Sequence, residues 1–156
     1  MTGYQIGILA HLIGVILFFA GVAIAAVVVS AARSRENPSE IALILGLARH
    51  GAILLAAGGV ILLLAGFYLS GKIDGYGQRW LEISILLFVV SLVLGYLGGR
   101  RSRSVREYAV GLAERGEGDT QTLRTMLESR AMAWLYWLSA ITAVIVLVLM
   151  VWQPGS

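Results

Sequence analysis

AHLIGVILFFAGVAIAA, residues 10–26, is hydrocarbon from end to end except for one imidazole, His11. A bilayer core about 30 Å thick is crossed by roughly 20 apolar residues at 1.5 Å each. The run that holds this stretch extends over about residues 4–32, and the chain repeats the length near 51–70, 81–99 and 131–152. Hydrophobic residues make up 58% of the 156 and charged ones 13%, too little polar surface to clothe a water-soluble domain of this size. The sequence therefore predicts an all-α polytopic membrane protein: an antiparallel bundle of four transmembrane helices, one domain over residues 1–156, with the lipid bilayer as its first partner.

No Lys or Arg precedes the first run, and it is longer than the apolar core of a signal peptide, so it is expected to be a retained helix. There is no cysteine, which excludes disulfides, thiolate metal sites and catalytic thiols together. Arg33, Arg35 and Arg49 lie between the first two spans. Arg100, Arg101, Arg103, Arg106, Arg115, Arg124 and Arg130 lie between the last two, against Lys72 and Arg79 in the middle connection. Ten cations against two predict that the first and third loops are cytoplasmic and both termini extracytoplasmic. The net charge of +3 is thus a matter of inner-leaflet anchoring, not nucleic-acid binding, since no basic stripe is interleaved with exposed aromatics. Tyr4, Tyr68, Tyr76, Trp80 and Trp152 fall at the outer boundary, and Tyr96, Trp134, Tyr136 and Trp137 at the inner one.

The loops carry helix signals of their own. Asn37, Pro38 and Glu40 read as N-cap, first helical residue and third, so helix two is expected to begin before the membrane, with the apolar segment 41–48 at the headgroups. Val105, Tyr108, Ala109 and Leu112 repeat at helical spacing, as do Leu123, Met126 and Leu127. Gly116, Glu117, Gly118 and Asp119 read as the turn between them, with Asp119 or Thr120 as a cap. Helices three and four are therefore expected to outrun the membrane as a cytoplasmic helical hairpin over about 100–130, a surface open to a protein partner or a second copy.

Small residues recur every seven positions: Gly7, Gly14 and Gly21; Gly51 and Gly58; Gly59 and Gly66; Ser84, Ser91 and Gly98. Heptad spacing keeps each set on one stripe of its helix, and close backbone approach at such residues is a main source of association in lipid, so these are read as packing seams. His11 belongs to the series Gly7, His11, Gly14, Phe18, Gly21, Ala25 and is expected to face the bundle interior, bonded to a serine, a carbonyl or Glu82, with Glu82 or a helix-three serine the first candidates. Intramembrane ionisable residues are functional candidates by default, which makes His11 a candidate haem or metal ligand. His50, on the order of 25 Å from it along the membrane normal, cannot share a metal with it and reads with Arg49 as a headgroup pair. The polar interior candidates are His11, Glu82, Ser84, Ser91, Ser139 and Thr142, and no catalytic constellation is seen among them.

HLIGVILFFAG in helix one, Arg49 followed by GGVILLLAGFYL in helix two, WLEISILLF opening helix three and the closing LVLMVWQP resemble the uncharacterised predicted integral membrane proteins of the copper-resistance-D-like superfamily. That superfamily also holds the haem-associated bacterial protoporphyrinogen oxidase. The resemblance implies a four-helix protein of the prokaryotic cytoplasmic membrane, with His11 at the position of a helix-one histidine linked to cofactor binding in some relatives. The chain has no Met-rich or His-rich segment, which speaks against copper transport, and Phe18, Phe19, Ala20 and Gly21 stand where relatives often place a Trp before a glycine pair. Three readings follow: a non-enzymatic structural or partner-binding membrane unit, a haem or metal protein using His11, and a small transporter. The last is disfavoured by spans that contain no Pro and few polar side chains.

Overall fold

The computed structural model describes residues 2–72, 78–118 and 120–152, apart from the side chain of Met132. Among the described residues every regular element is a helix: α1 (Gly3–Arg33), α2 (Pro38–Lys72), α3 (Arg79–Glu114), α4 (Gln121–Leu127) and α5 (Arg130–Trp152). Four of them are long and apolar enough to cross a membrane, and their best windows have mean hydropathy between 2.2 and 3.0. The expected spans fall inside α1, α2, α3 and α5. At 1.5 Å per residue the 36 residues of α3 extend about 54 Å, so this helix reaches well beyond a hydrocarbon layer about 30 Å thick. Ile16 (67% exposed), Leu64 (67%) and Leu86 (64%) point outward, as a lipid-facing surface requires.

Local chemistry sets the helix starts. The Thr2 hydroxyl accepts from Gln5 N–H while the Gln5 side chain accepts from Thr2 N–H, a reciprocal box that opens α1. At α2 the Asn37 side chain accepts from Ser39 N–H at 2.9 Å, and Pro38, with no N–H to lose, is the first helical residue, as the sequence suggests.

The glycine stripe of α1 meets α2 in order. Tyr68 lies against Gly3 and Gly7, Leu62 against Gly14, and Leu55 with Gly51 against Gly21, so residue numbers fall along α2 as they rise along α1. A Cβ on Gly21 would sit 2.6 Å from the Gly51 carbonyl oxygen, and one on Gly58 would sit 2.5 Å from the Phe18 nitrogen. Only hydrogen fits between these backbones. The two stripes of α2 diverge in role: Gly51 and Gly58 meet α1, Gly59 meets Leu92 and Phe88 of α3, and Gly66 faces His11. Between α3 and α5 the seam is polar. Ser91 Oγ donates to the Ser139 carbonyl at 2.9 Å, Ser139 Oγ donates to the Ser91 carbonyl at 3.0 Å, and Tyr136 packs on Gly98 with its hydroxyl 2.8 Å from Ser102 Oγ.

At the arginine-rich end, where the sequence predicts a helical hairpin over about 100–130, α3 runs on to Glu114 and the short α4 folds back on the other helices as a clasp. The chain turns at Gly116, whose φ of 68° is left-handed backbone that suits glycine, and Glu117 N–H bonds the Leu112 carbonyl at 3.0 Å to close α3. The Thr120 hydroxyl caps α4, and Asp119, the other candidate, lies outside the described residues. α4 stops at Leu127, and Glu128 and Ser129 separate it from α5. Leu123 and Leu127 are completely buried in a core with Val28, Ala32, Ile41 and Leu112 from α1, α2 and α3. Arg33 Nε donates to the Leu127 carbonyl at 2.9 Å, and Arg124 returns bonds to the carbonyls of Arg33 (3.2 Å) and Arg35 (2.8 Å). Those two carbonyls belong to the end of α1 and the residues just past it, where intrahelical donors run out. The helically spaced Val105, Ala109, Leu112, Leu123 and Leu127 are thus buried within the chain.

Two of the boundary aromatics also turn inward. Trp80 is buried, its Nε1–H bonded to the Gln78 side chain, and Tyr136 is held half-buried by Ser102; Tyr4, Tyr68, Trp152, Tyr96, Trp134 and Trp137 are exposed, and Tyr76 lies outside the described residues.

Candidate functional site

α1 packs along α2 and α3 along α5, while α1 and α5 only graze each other. Small residues deepen the gap between the pairs: Gly66 and Ser70 on α2, Ser84 on α3, Ala143 on α5. The result is a cavity of about 320 Å³ lined by all four long helices, at the end of the bundle where α1 begins and α5 finishes. Its deep side is aromatic, with the Phe18 and Phe88 rings 5.3 Å apart at their centroids and Phe19 set edge-on to Phe18 at 5.9 Å. Leu62, Leu81, Val146 and Met150 complete a hydrocarbon wall.

His11 lines this cavity and is half-buried, its ring lying over Gly66. A Cβ added at Gly66 would come 3.7 Å from Cε1 and 3.8 Å from Nδ1, so the glycine leaves the ring room without pinning it. Nδ1 is buried and has no hydrogen-bond partner; the Leu62 carbonyl lies within electrostatic reach but makes no bond of ordinary geometry. Leaving such a group unsatisfied costs about 1–3 kcal/mol. The other polar atoms on the wall are already engaged. Ser84 Oγ donates to the Trp80 carbonyl at 2.7 Å and Ser70 Oγ to the Gly66 carbonyl at 2.9 Å, each one turn back in its own helix.

This corrects the partner expected for His11. Glu82 is exposed, because two residues turn an α-helix by about 200° and put it on the opposite face of α3 from the buried Ser84. Ser91 and Ser139 pair with each other, and Thr142, half-buried, bonds the carbonyls of Leu138 and Ser139 in its own helix. The polar interior candidates thus divide between a seam and a cavity. His50 is exposed and lies about 24 Å along α2 from Gly66, the residue under the His11 ring. Among the described residues no three His, Asp or Glu side chains group as metal ligands; Asp74 lies outside the described residues. Sequence reasoning missed Ser70, Phe88 and Met150 as cavity residues. Only the spacing of Ser70, four residues after Gly66, pointed that way.

No curated protein and no solved structure matches the chain. One family profile does, over residues 8–154, and its description, a predicted integral membrane protein, covers all four long helices without extending to copper or haem. By that match and by its four apolar helices, the chain belongs to the DUF2269 family of integral membrane proteins.

Proposed function

We propose that this chain is a non-catalytic binding protein of the prokaryotic cytoplasmic membrane. In this reading it is an antiparallel four-helix bundle whose interhelical cavity takes a largely hydrocarbon ligand with one hydrogen-bonding group. The observation that carries the reading is the unpartnered, buried Nδ1 of His11 on the wall of an otherwise apolar cavity. Ligand sites are typically concave, mostly apolar, about 300–1,000 Å³, and oriented by a few polar groups. A ligand donor or acceptor opposite Nδ1 recovers the hydrogen bond that the folded chain leaves unmade.

Haem, which the helix-one histidine implies, fits this site in part. An imidazole is available to iron, and Met150 supplies a thioether on the same wall. The two propionates, however, bring two negative charges, and among the described residues no Lys or Arg lines the cavity. The lining suits an uncharged ligand better.

The proposed orientation, with the α4 clasp in the cytoplasm and both termini outside, is supported by the ten cations of the first and third connections. The absence of cysteine makes this simple to check. A cysteine at Gly118 in inside-closed cells is expected to resist a membrane-impermeant maleimide until lysis, and one at Lys72 to react at once; the reverse pattern inverts the protein.

The ligand is tested by purifying the protein from its native membrane, extracting it with organic solvent and comparing spectra and masses with two variants. His11→Leu removes the nitrogen, and loss of a hydrogen bond worth about 0.5–1.5 kcal/mol lowers retention by up to about tenfold. Gly66→Leu projects into the cavity and is expected to abolish retention. Identical extracts from all three proteins contradict the reading, and a Soret band that disappears with His11→Leu replaces the uncharged ligand by haem.

A further inference from the structure

A second concavity lies at the opposite, arginine-rich end, outside the bundle interior. It is a groove of about 590 Å³ between α3 and α5, with Leu97, Arg100 and Arg101 on one bank and Trp134, Leu135 and Leu138 on the other. Each set repeats at three- and four-residue steps, so each forms one continuous face of its helix. The seam beside it, Gly98 and Ser102 on Tyr136, fixes the distance between the banks before anything binds.

The groove is divided by chemistry along its length. Leu97 and Leu138, both exposed, sit on the span side of it, and Arg100 and Arg101 lie at its other end, one turn further along α3. Arg100 lies 6.0 Å from the centroid of the Tyr96 ring, and neither it nor Arg101 makes a salt bridge among the described residues. The ion pairs described are Arg35 with Glu40 and Arg115 with Glu117, both elsewhere. Two uncompensated cations at the head of a hydrocarbon trough, beside an exposed Trp134, complement a molecule with an anionic head and a long apolar tail.

We infer that this groove is a binding site for one anionic phospholipid, its phosphate held by Arg100 and Arg101 and an acyl chain laid along Leu97, Leu135 and Leu138. A guanidinium offers paired donors to phosphate oxygens, and a second one beside it raises selectivity for a headgroup of net negative charge over a zwitterionic one. The site is separate from the His11 cavity and does not depend on that cavity's ligand.

Delipidated protein in neutral detergent is titrated with phosphatidylglycerol, phosphatidylcholine or inorganic phosphate while its thermal midpoint is followed. Phosphatidylglycerol is expected to stabilise at a concentration at least tenfold lower than phosphatidylcholine, and inorganic phosphate to give no comparable shift. The double variant Arg100→Gln, Arg101→Gln, at exposed positions that leave the fold intact, brings the phosphatidylglycerol response to the phosphatidylcholine level. Phosphatidylglycerol brominated in its acyl chains is expected to quench tryptophan fluorescence in the native protein and much less in Trp134→Phe. Equal response to the two lipids, an unaltered response in the double variant, quenching that survives Trp134→Phe, or full stabilisation by inorganic phosphate alone would each overturn the inference.

Discussion

Gly58→Leu is expected to cost the detergent-solubilised protein about 3 kcal/mol or more of stability, the largest loss from any single change in the bundle. The reason lies in what surrounds the missing side chain. A Cβ at this position meets the Phe18 nitrogen at 2.5 Å, the Gly14 carbonyl oxygen at 2.8 Å and the Leu17 carbonyl carbon at 3.0 Å. All three are backbone atoms of α1, so no rotamer change relieves the overlap and the two helices must separate. In lipid there is little hydrophobic force to hold them once they part, since the tails are as apolar as leucine. Separation also unseats Phe18, which is 1% exposed at the base of the His11 cavity. Gly99→Leu serves as the control: a Cβ there meets nothing within 4 Å, and the change is expected to stay within about 0.5 kcal/mol. Thermal unfolding followed by circular dichroism measures both, and equal losses would show that the α1–α2 seam does not hold the bundle together.

The second large effect is expected at Leu127→Ala. Leu127 is 0% exposed within the core that joins α1, α2, α3 and α4, and truncating a fully buried leucine costs about 2–5 kcal/mol. With only seven residues, α4 has no independent stability, so the loss falls on its docking. Freed from the bundle, α4 also withdraws Arg124 from the carbonyls of Arg33 and Arg35. Limited trypsin digestion reads this directly. Cleavage at Arg124 is expected to accelerate by about two orders of magnitude, the fold-change that roughly 3 kcal/mol of local opening implies, while the four spans persist. Thr125→Ala, at an exposed position of the same helix, is expected to leave the rate nearly unchanged. Undiminished protection of Arg124 in Leu127→Ala would mean that α4 is held by something other than its buried leucines.

Much of this architecture is written in the sequence because a bilayer leaves few choices. Hydrocarbon length alone yields the four spans, and heptad spacing of Gly7, Gly14 and Gly21 marks the face that meets α2. What periodicity cannot supply is the partner of an amphipathic face. Leu123, Met126 and Leu127 show a helical repeat that suits a projecting hairpin as well as a clasp; in the clasp they cover Val28, Ile41 and Leu112 of α1, α2 and α3. The break at Glu128 and Ser129 has no Gly or Pro to announce it. His11 was legible as an inward-facing residue from its place on the glycine stripe. Its lack of a partner was not, because that depends on the Ser84 hydroxyl turning back to Trp80 and on Glu82 lying across the helix, neither of which spacing on α1 reports.

The chain contains two histidines, His11 and His50, so their ring nitrogens are readily resolved by ¹⁵N magnetic resonance of selectively labelled protein in bilayers. If the His11 Nδ1 is the group that meets a ligand, its resonance shifts between protein isolated from native membrane and protein stripped with organic solvent and reconstituted. The same shift is expected to be absent in Gly66→Leu, with His50 unchanged throughout. A His11 resonance that is identical in native, stripped and cavity-filled protein would contradict the assignment of this cavity as a binding site.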